Sequence, residues 1–496
     1  MKRNRQRWAI ALAVGLAGSG WWPAGAQETV APAEPLAATP PAIGAAATPP
    51  PPVTPEQLQA LQQQVYELTK QLRQVEVAME GQQKTADDKA KAAPVITAGA
   101  KGFGFTSADK AFDLKVGGRI GYDVGWFSQD SELEDYVGDE QDGTGFRYAR
   151  LRLSGKLWEY VTFQAEYDFA GENGADSPKF RDVFIQLNGI PYGGGRTADL
   201  RVGHFREPFS LEDLTGIPNR TFLERSLMHS FVPNRNAGVQ ISDALFGETG
   251  KERLSYQLGV FKETDDLPSA NDSDEDQGYQ ITGRVTGLPW YREDGRKLIH
   301  LAAAYSHRNP DGAPIAWPGR TETRLSALRY TDINKFPGYR LNDALADDID
   351  LLGLEAALVY GPLSVQAEYT KAMVDTTLGG DADFDGGYVQ ASYFLTGEHR
   401  PYRHENGIFD RITPNKNFGW KSVDGWGAWE LAARYSFVDL EDGPIRGGEQ
   451  QAYTLGLSWY LNPNLRITTN YILNNVETDR YDGDFSALQT RFQLEF

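Results

Sequence analysis

Apolar and polar residues alternate along most of this chain, and the alternation has a period of two. Between residues 147 and 171 it reads RYARLRLSGKLWEYVTFQAEYDFAG. Arg150, Arg152 and Lys156 share one parity, and Leu151, Leu153 and Leu157 the other. After a break at Trp158–Tyr160, Val161, Phe163, Ala165, Tyr167 and Phe169 oppose Thr162, Gln164, Glu166 and Asp168. Successive side chains on opposite faces mean strands. The pattern returns from about Ala111 to Phe496, for example at 111–127, 352–360, 363–369, 429–437, 453–461 and 465–474. It predicts about sixteen strands, an all-β architecture with boundaries good to a few residues.

The connections alternate in length. Trp158–Tyr160, Gly361-Pro362 and Asn462–Asn464 are short, whereas 128–145, 264–276, 308–347 and 374–385 are long. Short turns on one rim, long loops on the other and strands of about ten residues predict a transmembrane antiparallel β-barrel over 110–496. In such a barrel the apolar face looks outward to lipid and the polar face inward to water. Trp126, Tyr160, Tyr360, Trp429, Trp459, Tyr460 and Tyr471 fall near strand ends, where interfacial aromatic girdles belong. Two segments depart from the scheme. Residues 206–236 and 397–425 are both long, and the second falls where a short turn is due.

The N-terminal region has another character. MKRNRQR, an apolar stretch and Ala24-Gly25-Ala26 form a signal peptide, 1–26; its removal takes the formal charge from −19 to −23. Residues 27–53 are an Ala/Pro-rich linker. In 54–83, Leu58, Leu61, Val65, Leu68, Leu72, Val75 and Met79 follow a spacing of three and four, with Thr54 as N-cap. That seam predicts a short coiled coil and self-association, or an amphipathic helix lying on a domain surface. Residues 84–109 read as a second linker.

Composition narrows the chemistry. There is no cysteine, so thiol chemistry and a disulfide scaffold are excluded. The acidic balance argues against a nucleic-acid partner. The six histidines form no H-E-x-x-H motif, HRPYRH at 399–404 reads as a polar loop, and neither metal nor cofactor is expected. No G-x-S-x-G elbow points to an enzyme.

The predicted lumen face collects Lys115, Arg119, Arg150, Arg152, Lys156, Arg201, Arg434, Arg466 and Arg491, together with acids such as Asp123, Glu166, Asp168, Glu355 and Glu368. Arginine rings select anions by charge and by bidentate contacts. Arg119, Arg150 and Arg152 are candidates for a basic track; the alternative is that each arginine pairs with a neighbouring acid and stiffens the wall. The segment RVGHFREPFSLEDLTGIPNRTFLERSLMHSFVPNRNAGVQI, 201–241, is too apolar for a free loop. Folded into the barrel mouth, it brings Arg206, Arg220, Arg225 and Arg235 to a constriction; packed between protomers, it does not.

VGHFREPFSLEDLTG…FLERS…FVPNRNAGVQI, SYFLTGEHRPY at 392–402 and WELAARYSFVDL at 429–440 resemble the phosphate-selective porin O and P family over roughly 110–496. The resemblance implies a trimer of sixteen-stranded outer-membrane barrels with an inward third loop and an arginine ladder conducting anions such as phosphate. Outer-membrane lipid and lipopolysaccharide are the expected surroundings. Lysine is sparse in the barrel and the long loops are acidic, so a lysine funnel is not evident. Other readings of the same chain are a general weakly selective porin, an envelope-tethering structural protein and a secreted soluble β-protein that binds carbohydrate.

Overall fold

The computed structural model describes residues 54–92, 94–99, 102–170, 179–248, 250–263, 278–310, 317–325, 328–332, 346–376, 380–420, 425–443 and 445–496. The signal peptide, the Ala/Pro-rich linker and the acidic run 264–276 lie outside the described residues. The chain divides into two units, Met1–Gly81 and Gln82–Phe496.

A long helix, α1 (Pro55–Ala92), starts at a reciprocal cap: Thr54 N donates to Gln57 Oε1 at 3.1 Å, and Gln57 N to Thr54 Oγ1 at 3.4 Å. Its heptad residues, Leu58 to Met79, are exposed. The helix ends at Ala92, and an antiparallel hairpin follows, Val95–Gly99 with Gly102–Thr106. The expectation of a linker over 84–109 is thereby corrected. VITAG and GFGFT are five residues each, and only the second alternates, too short a pattern to stand out in the sequence.

Sixteen strands form the barrel. They are β1 (Phe112–Gln129), β2 (Gly143–Leu157), β3 (Val161–Asp168), β4 (Lys179–Gly193), β5 (Arg196–Arg206), β6 (Arg235–Leu245), β7 (Leu254–Lys262), β8 (Tyr279–Arg292), β9 (Lys297–Arg308), β10 (Ala346–Tyr360), β11 (Leu363–Thr376), β12 (Gly380–Phe394), β13 (Ala428–Asp442), β14 (Ile445–Tyr460), β15 (Leu465–Glu477) and β16 (Asp482–Glu495). Each pairs antiparallel with the next, and β16 pairs with β1, with Arg491 opposite Asp123 and Glu495 opposite Arg119. Closure leaves no free edge, which a spanning sheet requires. The terminal Phe496 completes the seam: its N donates to Gly118 O at 2.9 Å and its O accepts from Gly118 N at 2.8 Å. A Cβ at Gly118 would stand 2.8 Å from the Phe496 ring, so only glycine seats the last residue.

The opening pattern now has its meaning. Leu151, Leu153, Val285, Leu301, Leu354, Leu455 and Phe492 point outward and are exposed. Asp123, Glu166, Glu355, Glu368, Arg434 and Arg491 point inward and are buried. An apolar outside over a polar inside excludes a soluble sandwich and fits lipid. No helix among the described residues is long and apolar enough to cross a membrane. Tyr460, expected in an outer girdle, instead faces inward and donates to Glu430 Oε2 at 2.7 Å.

One rim carries the short connections 158–160, 194–195, 246–253, 293–296, 361–362 and 461–464, and one long exception, 395–427. The other rim has short connections such as 478–481, and the connection expected to be long over 374–385 is short as well, because the strands run to Thr376 and from Gly380. Beside them it carries the long loops, among them 130–142 and 207–234. In the first of these, helix α2 (Ser131–Val137) turns Leu133 and Val137 onto Tyr330, Ile472 and Phe485.

Candidate functional site: a cavity between two inserted segments

The segment after β5 folds into the bore. A short helix, α3 (Leu211–Thr215), is held at its N-terminus by Glu368 of β11. That carboxylate accepts from Ser210 Oγ at 2.7 Å, Leu211 N at 3.0 Å and Glu212 N at 2.7 Å. A carboxylate at exposed helical N–H groups satisfies donors that have no partner within the helix. Farther along, wall arginines donate to the loop's carbonyls. Arg466 reaches Arg220 O and Thr221 O, both at 2.6 Å; Arg491 reaches Leu223 O at 2.8 Å; Arg434 reaches Glu224 O at 3.1 Å. The loop answers with carboxylates. Glu212 binds Arg434 at 2.9 Å, and Glu224 binds Arg147 at 2.7 Å and Arg491 at 2.5 Å.

The apolar half of the loop packs too. Phe209, Leu227, Met228, Phe231 and Val232 join Leu351, Val374, Phe384, Val438 and Leu440 on the inner face of β10–β13. Toward the long-loop rim these strands are apolar on both faces, as the adjacent Leu351-Leu352 announces. Double-sided apolarity marks a strand that is covered on both sides. A second long loop also enters: Glu322 is fully buried and accepts from Arg434 at 2.5 Å, from Ser436 Oγ at 2.6 Å and from Thr454.

The segment that bounds the cavity together with the inward loop comes from the opposite rim. Residues 395–427 carry a small hairpin, Tyr402–Arg403 with Ile408–Phe409. Arg284 of β8 donates to Asn406 O and Gly407 O, each at 2.9 Å, and grips Glu355 at 2.7 Å. His300 Nδ1 lies 2.8 Å from the Tyr402 hydroxyl, and His404 Nδ1 lies 2.8 Å from Glu252 O. Gly407 has φ 61°, and a Cβ there would strike Thr286 Oγ1 at 2.6 Å. Arg411 ties the end of the hairpin to Glu495 at 2.7 Å. Ile408 and Phe409 meet Leu211 and Leu214, so the two inserted segments touch inside the barrel.

They leave a cavity of about 340 Å³ against β1–β6 and β16. Lys115, Arg119, Arg152, Arg206 and Arg235 line it from the wall, and Arg403 and Arg411 from the hairpin side. Among the described residues, Asp182, Asp410 and Glu495 are its acidic lining residues, so seven cations face three carboxylates. Most of the cations already hold an acid. Arg119 binds Glu166 at 2.5 Å, Arg235 binds Asp182 at 2.8 Å and Arg403 binds Asp410 at 2.6 Å. Arg152 is the loosest of the wall arginines, 31% exposed and 4.0 Å from Glu495.

The seven arginines singled out in the sequence therefore divide. Arg119, Arg152, Arg206 and Arg235 line the cavity. Arg150 lies opposite Arg119 in register but is buried in pairs with Glu166 at 3.1 Å and Asp168 at 2.7 Å. Arg225 binds Asp213 at 2.5 Å, and Arg206 approaches the same carboxylate at 3.3 Å. Arg220 is buried within the loop. Burial pushes the Arg220 guanidinium well below its ordinary pKa, and Arg225 and Arg206 push it the same way. Burial raises the Asp213 carboxyl, but Arg206 and Arg225 outweigh it and hold Asp213 below the usual carboxylate range. Neither Arg403 nor Arg411 was among the sequence candidates; both lie in the segment that broke the alternation of short and long connections. No group of three or more His, Cys, Asp or Glu able to hold a metal ion occurs among the described residues.

A closed barrel, apolar outside and charged within, with loops folded into its bore, defines a transmembrane β-barrel channel. The chain belongs to the phosphate-selective porin O and P family, whose model matches residues 114–496. It is an outer-membrane porin, a channel and not an enzyme. It is 26% identical over 424 residues to Porin O of Pseudomonas aeruginosa, covering 80% of this chain and 91% of that protein. An uncharacterized protein of Caulobacter vibrioides is 29% identical over 409 residues, covering 79% and 75%. Among solved structures, an anion-selective porin from Comamonas acidovorans aligns with TM-score 0.47 at 15% identity, covering 78% of this chain and all of that one. The outer membrane channel DcaP of Acinetobacter baumannii aligns with TM-score 0.46 at 12% identity, covering 79% and 99%.

Proposed function

We propose that the protein passes small hydrophilic anions, phosphate among them, by diffusion through the basic cavity. The observation that carries this reading is the lining itself, seven cations against three carboxylates in a space of about 340 Å³. Arginines there replace part of an anion's hydration shell. Their neighbouring acids keep each site moderate, so that an ion which enters also leaves. Arg119, Arg152, Arg206 and Arg235 act from the wall with Arg403 and Arg411 opposite, while Arg150, Arg220 and Arg225 act on the shape of the passage. Membership of a phosphate-selective porin family supports phosphate as one permeant.

The test is a planar-bilayer recording in a chloride gradient, followed by addition of phosphate. An anion-selective reversal potential with current blocked by phosphate is expected, and Arg152→Ala/Arg411→Ala weakens both. Cation-leaning selectivity indifferent to phosphate would overturn the reading and leave a general porin.

The exposed heptad seam of α1 supports a homotrimer reinforced by a coiled coil, in which Leu58 to Met79 cover one another. Deleting 54–83 then lowers the heat resistance of the trimer without closing the pore. The acidic run 128–145 suits divalent bridges to lipopolysaccharide at the long-loop rim.

A further inference from the structure

We infer that Glu495 is a tethered stand-in for the permeating anion: its carboxylate occupies the basic cavity between passages and is displaced by each anion that enters. The inference rests on the conduction reading above and names the residue that sets how long an anion stays. Three acids line the cavity, and two of them are held within their own side. Asp182 and Arg235 pair within the wall at 2.8 Å, and Asp410 and Arg403 pair within the hairpin segment at 2.6 Å. Glu495 reaches across. Its Oε1 takes Arg411 of the hairpin segment at 2.7 Å and stands 4.0 Å from Arg152 of the wall. Arg119 lies opposite it in register and feels the same charge.

The backbone of Glu495 is fixed. Its N donates to Asn464 O at 2.8 Å, and the N of the next residue, Phe496, donates to Gly118 O at 2.9 Å. Only the side chain is left to move. A charge-assisted hydrogen bond closes at about 2.8 Å, so roughly 1 Å of travel carries the carboxylate from the hairpin side onto Arg152. Both arginines stay open to the cavity, Arg411 with 20% of its side chain exposed and Arg152 with 31%. An anion arriving between them meets a carboxylate of its own sign. It takes over donors that Glu495 was using, and Glu495 withdraws but goes on repelling it from close by. Binding is thus an exchange of one anion for another, and the arginines are not stripped bare when the ion leaves. Net binding stays moderate, as conduction requires. Phosphate oxygens can engage a guanidinium at two points and chloride cannot, so phosphate displaces the carboxylate more readily.

The experiment is single-channel recording of the full chain, wild type against Glu495→Gln, in chloride with inorganic phosphate added. In Glu495→Gln the dwell time of phosphate lengthens roughly tenfold, the loss of one nearby like charge. The half-blocking phosphate concentration falls with it, and the largest anion current falls too. A residue that only anchored the hairpin segment gives the opposite result: a loosened segment, a larger current and shorter dwell times. Unchanged or shortened dwell times, in a channel whose wild type is anion-selective and blocked by phosphate, would overturn the inference and leave the conduction reading intact. A wild type that phosphate does not block overturns the conduction reading, and this inference with it. If Glu495→Gln does not assemble, Glu495→Asp decides, since it keeps the charge but shortens the reach by one methylene. Dwell times about threefold longer are then expected, and unchanged ones overturn the inference.

Discussion

Arg119 and Arg491 stand on adjacent strands of the seam between β1 and β16, both facing the lumen, and their surroundings are opposite. Arg491 is fully enclosed by Asp123, Glu224 and the carbonyl of Leu223. Arg119 keeps one side toward the cavity. The same contrast divides the whole wall. On β13, β15 and β16 the arginines Arg434, Arg466 and Arg491 grip the inward loop; on β1, β2 and β5 the arginines Arg119, Arg152 and Arg206 border open space. A lumen arginine is thus defined less by its strand than by whether a folded segment has covered it. Removing Arg434 or Arg491 strips a buried carboxylate of its partner, and removing Arg466 strips two loop carbonyls of theirs. Removing Arg152, the loosely paired member of the open group, alters a field in water.

The largest expected break in this comparison is Arg491→Met. It leaves Asp123 and Glu224 buried without their shared cation and costs about 3–5 kcal/mol. Denaturant titration of the refolded barrel reads it, and a loss under about 1 kcal/mol would erase the distinction between the two groups. Arg152→Glu changes the open group. Folding stability shifts by less than about 1 kcal/mol, as at an exposed pair, while the anion-over-cation permeability ratio falls roughly tenfold, about 1.4 kcal/mol of field. Reversal potentials measure it.

The smallest effect is a pH dependence. The Asp213 carboxyl in the folded loop ionises below its unfolded value, so its contribution to stability is fully present above about pH 4 and is lost only as pH falls through the lower folded value. The stability gap between wild type and Asp213→Asn should stay level from pH 7 to about 4 and narrow only below. Narrowing already between pH 7 and 5 would place Asp213 in a different field.

The barrel was legible because alternation of period two, repeated over some 380 residues, leaves few other folds for the chain. The inward loop was legible too, since Leu211, Phe222, Leu227 and Phe231 in a connection demand a wall to pack on. What stayed hidden was the division of labour among arginines. Alternation reports which way a side chain points; it does not report whether another segment, distant in sequence, has arrived to cover it. Arg434 and Arg152 look alike in the sequence, and only the contact of the first with Glu322 and Glu212 separates them. A signal for the covered region did exist in the doubly apolar Leu351-Leu352. The long 397–425 departed from the rule of short turns and proved to be the hairpin that brings Arg403 and Arg411 to the cavity.

The anchoring of the inward loop also sets an order of events. Its carbonyls at 220–224 are held by Arg434, Arg466 and Arg491, which lie more than 200 residues farther along the chain. During synthesis and membrane insertion the loop exists long before its clasps do. Pairings of such separation form late, because the entropy of closing the intervening chain must first be overcome. The passage therefore acquires its final bore only when the last strands join the first, and a half-inserted barrel holds an unfastened loop.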